Sequence, residues 1–412
     1  MADPVVAMTA KPTYPWEFKP RFRRHAFGWK SQPAITRVKQ AVTEIKKVAR
    51  RDPVLAAEGA VLFLERLSPA LEQVDSSSGA IGTAVNRAIA ELVPVIAAAP
   101  ADAGTRAAWL ERLFQAKEED QIPYIERLGD FWGELCASPT VASAWADRLI
   151  AVTTMALSSD RNLRGYFHGT SACLSALLTA ERYTEIASLV EAERFWPYRR
   201  WAVKALAAQG RGADAIAYAE ACRSSVSSDW EVDQLCEEIL LAAGMAEEAY
   251  TRYGLTANRR GTYLATFRAV AAKYPDRTAR VILTDLVQTT PGEEAKWFAA
   301  AKEIGLFDEA LALASSSPCD PRTLTRAARD HVEAQPSFAL GAGLLALHWL
   351  VQGYGYEITG ADLWAAYACT MAAAERTGQA VPTKARIRAM VAAMGNGNEF
   401  VVRVLGRELE LA

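Results

Sequence analysis

Ile304-Gly305-Leu306-Phe307-Asp308-Glu309-Ala310-Leu311 reads as the joint between two antiparallel helices. Trp297, Ala301 and Ile304 fall on one face of a first helix. Gly305 ends that helix where the backbone must take a positive φ, which glycine does at little steric cost. Phe307, Ala310, Leu311 and Ala314 line the helix that follows. Asp308 and Glu309 occupy its first turn, where acidic groups complement the helix dipole. The small Ala310, five positions after the glycine, lets the two helix backbones approach closely.

The joint recurs. Ala243-Gly244-Met245-Ala246-Glu247-Glu248-Ala249-Tyr250 repeats it closely, and Gln209-Gly210 through Ala215-Ile216 more loosely. The stretch 174–189 (LSALLTAERYTEIASL) is a divergent copy with Glu181 in the glycine position. Positions 181, 210, 244 and 305 are separated by 29, 34 and 61 residues, the last gap being about two units. A period of about thirty to thirty-four residues is that of helical-pair repeats, in which each pair buries its apolar face on its neighbour. No stretch shows a convincing alternation of apolar and polar residues, so the expected fold class is all-α.

The joint resembles the one inside tetratricopeptide repeats, where Leu-Gly-x-Tyr-x-x-Ala connects the two helices of a unit. Gly305, Phe307 and Ala310 match its three key positions. Gly244 and Ala249 match two, with Ala246 replacing the aromatic, and Gly210 and Ala215 match two, with Gly212 there. The resemblance spans about residues 165–315, and the early Trp-x-x-Leu-Gly part of the motif is largely absent. It implies a right-handed helical-hairpin solenoid of the tetratricopeptide or HEAT kind, with a peptide or protein partner docked on the concave face.

Four regions are expected. Residues 1–33 hold five prolines among aromatic and basic side chains and read as an extended arm lying along the body with some rings buried. Residues 34–157 read as an N-terminal helical region, 158–320 as the repeats and 321–412 as a C-terminal helical cap. In the first helical region, Asp52-Pro53 starts a helix reaching about Leu67, and Ser68-Pro69 is positioned to start another. Helices are also expected at 80–99, kinked or broken at Pro94, and at 103–119, 122–136 and 139–157. Near the C-terminus they are expected at about 360–377 and 382–394. The apolar stretch 338–351 is too short to span a membrane and suits a buried helix.

The chain has 412 residues, 51% hydrophobic and 23% charged, with a formal net charge of −2. That balance hides an asymmetry. Residues 11–51 carry twelve Lys or Arg against only Glu17 and Glu44, so the rest of the chain is acidic. Within this basic stretch Arg21, Phe22, Arg23, Arg24, His25, Trp29 and Lys30 interleave cations with rings, followed by Arg37 and Lys39 on the next helix. Cations attract phosphates and release counterions, and rings stack on unpaired bases, so these nine residues are the candidate nucleic-acid contacts. A second cluster, Trp196, Tyr198, Arg199 and Arg200, and a third, Arg259 and Arg260, are candidates for protein-partner contacts on the solenoid's curve.

Chemistry is harder to find. Asp130 and Glu134 are four residues apart beside Trp132 and form the only carboxylate pair considered for acid–base work. The six cysteines and four histidines lack metal-ligand spacing, and Gly353-x-Gly355 and Gly395-x-Gly397 lack the context of a nucleotide fingerprint. No metal, cofactor or disulfide framework is expected, and the cysteines are read as buried thiols in a reducing cytoplasm. The leading functional expectation is a non-catalytic scaffold for protein–protein interaction. The alternatives are nucleic-acid binding through the basic arm and a helical-repeat enzyme acting on nucleic acid.

Overall fold

The computed structural model describes residues 14–160, 162–223, 229–393 and 399–411, and every regular element among them is helical. The chain divides into two compact units, residues 1–228 and 229–412. The division falls within the stretch expected to hold the repeats.

In the first unit, residues 14–30 form turns around a short 3-10 segment, Lys19–Arg21, instead of a continuous extended strand. Trp16, Phe18 and Phe22 are buried there, and the rings of Phe18 and Phe22 meet the ring of Phe63 edge-on. Helix α1, Ser31–Ala49, starts earlier than expected. Pro33 sits in its first turn, where a missing N–H leaves no helical bond unmade. Ala34, Ile35, Val38, Ala41, Val42 and Ile45 form its buried stripe. Helix α2, Pro53–Leu71, opens as read: the Asp52 carboxylate accepts the Leu55 N–H at 2.9 Å.

Two proline breaks do not occur. Helix α2 runs through Pro69, and helix α3, Ala80–Ala97, runs through Pro94. Each proline removes one i→i−4 bond, and the helix continues past it with Ala70, Leu71 and Ile96 buried. Helix α3 is long and apolar enough to cross a membrane by length and composition, which was not expected. In this fold its Ile81, Val85, Ile89, Leu92, Val93 and Ile96 are buried, and it packs against α1 and α2.

Helix α4, Ala103–Glu118, is capped by Asp102. The helix expected at 122–136 is instead a loop, a 3-10 segment Glu126–Phe131 and a short α5, Trp132–Cys136. Packing explains the shortening. A Cβ at Gly133 would lie 2.4 Å from the Ser175 carbonyl, so α5 meets the next layer backbone to backbone. Helix α6, Pro139–Ala156, is followed by α7, Thr170–Thr179, α8, Tyr183–Val190, α9, Trp196–Ala208, and α10, Gly212–Ala221. One hydrophobic cluster runs from Trp16 through α9.

The second unit begins with α11, Asp229–Ala242, and α12, Ala246–Ala249, which continues through a π turn at Tyr250–Gly254 into α13, Leu255–Ala257. Helices α14, Tyr263–Lys273, and α15, Ala279–Gln288, come next. A 3-10 segment, Glu294–Trp297, leads into α16, Phe298–Glu303, and then α17, Phe307–Ser316. Helices α18, Pro321–His331, α19, Pro336–Val351, α20, Gly360–Arg376, α21, Ala380–Ala392, and α22, Glu399–Leu405, complete the unit. Helix α19 is apolar almost all round and packs on α17, α18, α20 and α21, which is what such a helix requires.

The four recognised joints share one backbone geometry. Glu181, Gly210, Gly244 and Gly305 have φ of 59°, 77°, 74° and 76°. The residues that follow, Arg182, Arg211, Met245 and Leu306, have ψ of 56°, 53°, 53° and 66°. At Gly305 the N–H bonds to the Lys302 carbonyl at 3.1 Å, and the Leu306 N–H bonds to the Ala301 carbonyl at 3.0 Å. The same pair of bonds, a Schellman motif, closes α7, α9 and α11. Five positions on, Ile186, Ala215, Ala249 and Ala310 are each 0% exposed.

The 61-residue gap holds one further pair, α14 and α15. Its joint has no glycine; Thr278 caps α15 by accepting the Val281 N–H. The turn is anchored instead by a fully buried carboxylate. Glu237 on α11 accepts hydrogen bonds from the Asn258 amide, the Lys273 ammonium and the Tyr274 hydroxyl, each at 2.6 Å.

Candidate functional site

A cleft of about 1050 Å³ lies between residues 14–22 and the outward face of α1. Helical spacing builds its floor. Arg37, Gln40, Glu44 and Lys47 recur every three or four residues and therefore share one face of α1, and Arg51 lies in the turn just beyond it. Lys39 and Arg21 also line it, so three of the cations anticipated from the sequence meet here. Two of its carboxylates are engaged in backbone capping. Glu44 accepts the Glu17 and Phe18 N–H groups at 2.7 and 3.2 Å, which clasps the N-terminal segment to the helix. Asp52 caps α2. Glu17 lies 4.0 Å from Arg21. Arg37 donates to Gln40 at 2.8 Å. Lys39, Lys47 and Arg51 form no ion pair with another described residue. A smaller cleft of about 320 Å³ between α1 and α3 shares Lys39 and adds Arg87.

The other arm residues are placed differently. Phe22 is 1% exposed, so its ring is committed to the core and not free to stack on a base. Arg24 and His25 reach Glu72 on the far end of α2, and Arg23 folds back onto the Pro20 carbonyl. Trp29 is 72% exposed and Lys30 is exposed, but the Trp29 carbonyl accepts the Asp75 N–H, away from the cleft. Phe18 and Phe22 line the cleft from within the core, and its exposed ring is Tyr14, which sequence reasoning did not single out as a contact, nor did it single out Glu44, Lys47 and Arg51. The three-to-four spacing from Arg37 to Arg51 was the available signal.

The 195–201 cluster is mainly a packing device. Trp196 and Trp201 are buried. Arg199 lies 4.9 Å from the Tyr218 ring centroid and donates to its hydroxyl, and Arg200 pairs with Asp130 at 2.5 Å. Tyr198 is half-buried against Phe195. The same ion pair removes Asp130 from the proposed partnership with Glu134: its charge is held by Arg200, and Glu134 is exposed.

In the second unit, Arg259 and Arg260 are exposed and line a cleft of about 280 Å³ with Thr262, Tyr263, Glu293 and Trp297. Thr262 caps α14, the Trp297 indole N–H donates to Thr290 at 2.8 Å, and Tyr263 donates to Glu293. The Arg260 N–H is fixed on Thr266 at 2.9 Å and its guanidinium donates to the Arg259 carbonyl at 2.9 Å, so the loop is held while both side chains stay exposed. Among the described residues no group of His, Cys, Asp and Glu has metal-site geometry. No family model, no curated protein and no solved structure matches this chain.

Proposed function

We propose that this chain is a non-catalytic scaffold whose helical hairpins dock a protein partner. The observation that carries this reading is the joint used four times with the same torsion angles and a fully buried small or aliphatic residue five positions on. Repeating one hairpin geometry makes extended interaction surfaces from modest sequence information. The functional step from such a fold is an analogy at the level of architecture. The tetratricopeptide likeness, the right-handed winding it implies and a cytoplasmic setting belong to the same proposal.

The docking point best supported is the Arg259–Arg260 cleft. Two guanidinium groups beside the half-buried Tyr263 ring suit a segment carrying a carboxylate next to an apolar side chain. The test is cross-linking mass spectrometry of the full chain in native lysate, comparing wild type with an Arg259→Glu/Arg260→Glu variant. The expected result is a discrete partner cross-linked near residues 259–297 in wild type and lost in the variant. Equal recovery from both proteins counts against this cleft.

A further inference from the structure

From a separate set of residues, we propose that the cleft between residues 14–22 and α1 binds single-stranded nucleic acid through its sugar-phosphate backbone. None of the scaffold's docking residues lines this cleft.

Charge complementarity comes first. Between Tyr14 and Arg51 the chain has eleven Lys or Arg and two Glu. Of those two, Glu44 is spent on backbone N–H groups of residues 17 and 18. Lys39, Lys47 and Arg51 line the cleft without a carboxylate partner among the described residues. Neighbouring cations are matched instead: Lys46 and Arg87 share Glu91, and Arg112 takes Glu58 and Glu65. A row of unmatched cations calls for an anionic ligand that brings its own charges in series.

Shape chooses among such ligands. From Arg37 to Lys47 the row runs about 15 Å at 1.5 Å per residue, and Arg51 extends it in the turn beyond α1. It lies in a concavity, which suits a narrow flexible chain better than a bilayer or the broad convex face of a duplex. Tyr14, 40% exposed, lines the same cleft and offers a ring on which an unpaired base can stack, a contact that an acidic peptide would not need. Arg37, Lys39, Lys47 and Arg51 hold the phosphates, and Glu44 fixes the wall of the cleft by clasping residues 17 and 18 to α1.

Fluorescence anisotropy of the full chain with labelled oligothymidylate of about 20 nucleotides tests this. With about three or four phosphates neutralised, affinity should fall about twentyfold to fiftyfold between 50 and 200 mM salt. Lys47→Glu/Arg51→Glu changes only exposed side chains and should weaken binding at least tenfold, and Tyr14→Ala severalfold. Arg386→Glu, an exposed charge reversal in the other unit, should leave binding unchanged. The proposal is overturned if wild type does not bind the oligonucleotide at 50 mM salt, or if the double reversal binds like wild type. It is also overturned if the matching duplex, a polyglutamate peptide or anionic vesicles are bound as tightly as the single strand.

Discussion

Glu181 holds φ at 59°, a conformation that costs a residue with a Cβ about 1–2 kcal/mol relative to glycine. Its three counterparts are glycines, and a Cβ at Gly210, Gly244 or Gly305 would meet nothing within 4 Å. The cost of adding one is therefore a backbone cost alone. Gly305→Ala should destabilise the fold by about 1–2 kcal/mol, and Glu181→Gly should stabilise it by up to about 1 kcal/mol, both read from urea unfolding midpoints at unchanged slope. Opposite signs from these would mean that the joint is not held by its torsion angles. The thiols give a second residue-level expectation. Burial pushes Cys136 and Cys319 up to about 12 and Cys173 up to about 11, so almost no thiolate exists at pH 8. Iodoacetamide followed by peptide mass spectrometry should modify the partly exposed Cys369 first, and Cys136, Cys173 and Cys319 only when the chain unfolds. Labelling of Cys136 at the rate of Cys369 in native protein would contradict the packing described.

At the scale of elements, starts were more legible than ends. Asp52-Pro53, Ser138-Pro139 and Asp320-Pro321 announce helices because a carboxylate or hydroxyl caps the first N–H groups and proline needs none. Pro69 and Pro94 misled because a proline takes away one i→i−4 bond without ending a helix whose next residues, Ala70 and Leu71 or Ile96, are buried by packing. The α14–α15 joint was missed because Thr278 and buried Glu237 do the work of a glycine, and their partners are distant in sequence. Gly133 shows the same limit. Its N–H donates to the Ser175 hydroxyl at 3.0 Å, and no local pattern marks the close approach of α5 to α7. Gly133→Ala should cost about 3 kcal/mol, near the top of the usual range for overpacking, measured by thermal or urea unfolding. A loss under about 0.5 kcal/mol would show that the two helices can part. The start of α20 carries a pH signature. Arg322 binds both oxygens of Asp362 at 2.8 and 2.9 Å, and Thr359 adds its N–H and hydroxyl, which together hold the Asp362 carboxyl well below its ordinary range. A folded value below the unfolded one means stability that is present above about pH 4 and lost as the pH falls. The stability difference between wild type and Asp362→Asn, up to about 1 kcal/mol at pH 7, should therefore shrink toward pH 3.

For the whole molecule, the two clefts lie on different units and should respond separately. Lys47→Glu/Arg51→Glu should weaken oligonucleotide binding at least tenfold while leaving protein cross-links near residues 259–297 intact, and Arg259→Glu/Arg260→Glu should remove the cross-links and leave oligonucleotide binding unchanged. Loss of both functions in either variant would point to one shared site or to unfolding. The sequence by itself determined the helical class, the spacing of most joints and the basic character of residues 11–51, because helical period, glycine and net charge are local properties. Only the tertiary structure decided which of the basic and aromatic residues are available. Phe22 and Trp196 went into the core, Arg200 went to Asp130, and Lys47 and Arg51 were left in the open beside Tyr14. That sorting depends on which surfaces meet when helices far apart in the chain pack, and the burial gained there outweighs what any one side chain prefers on its own.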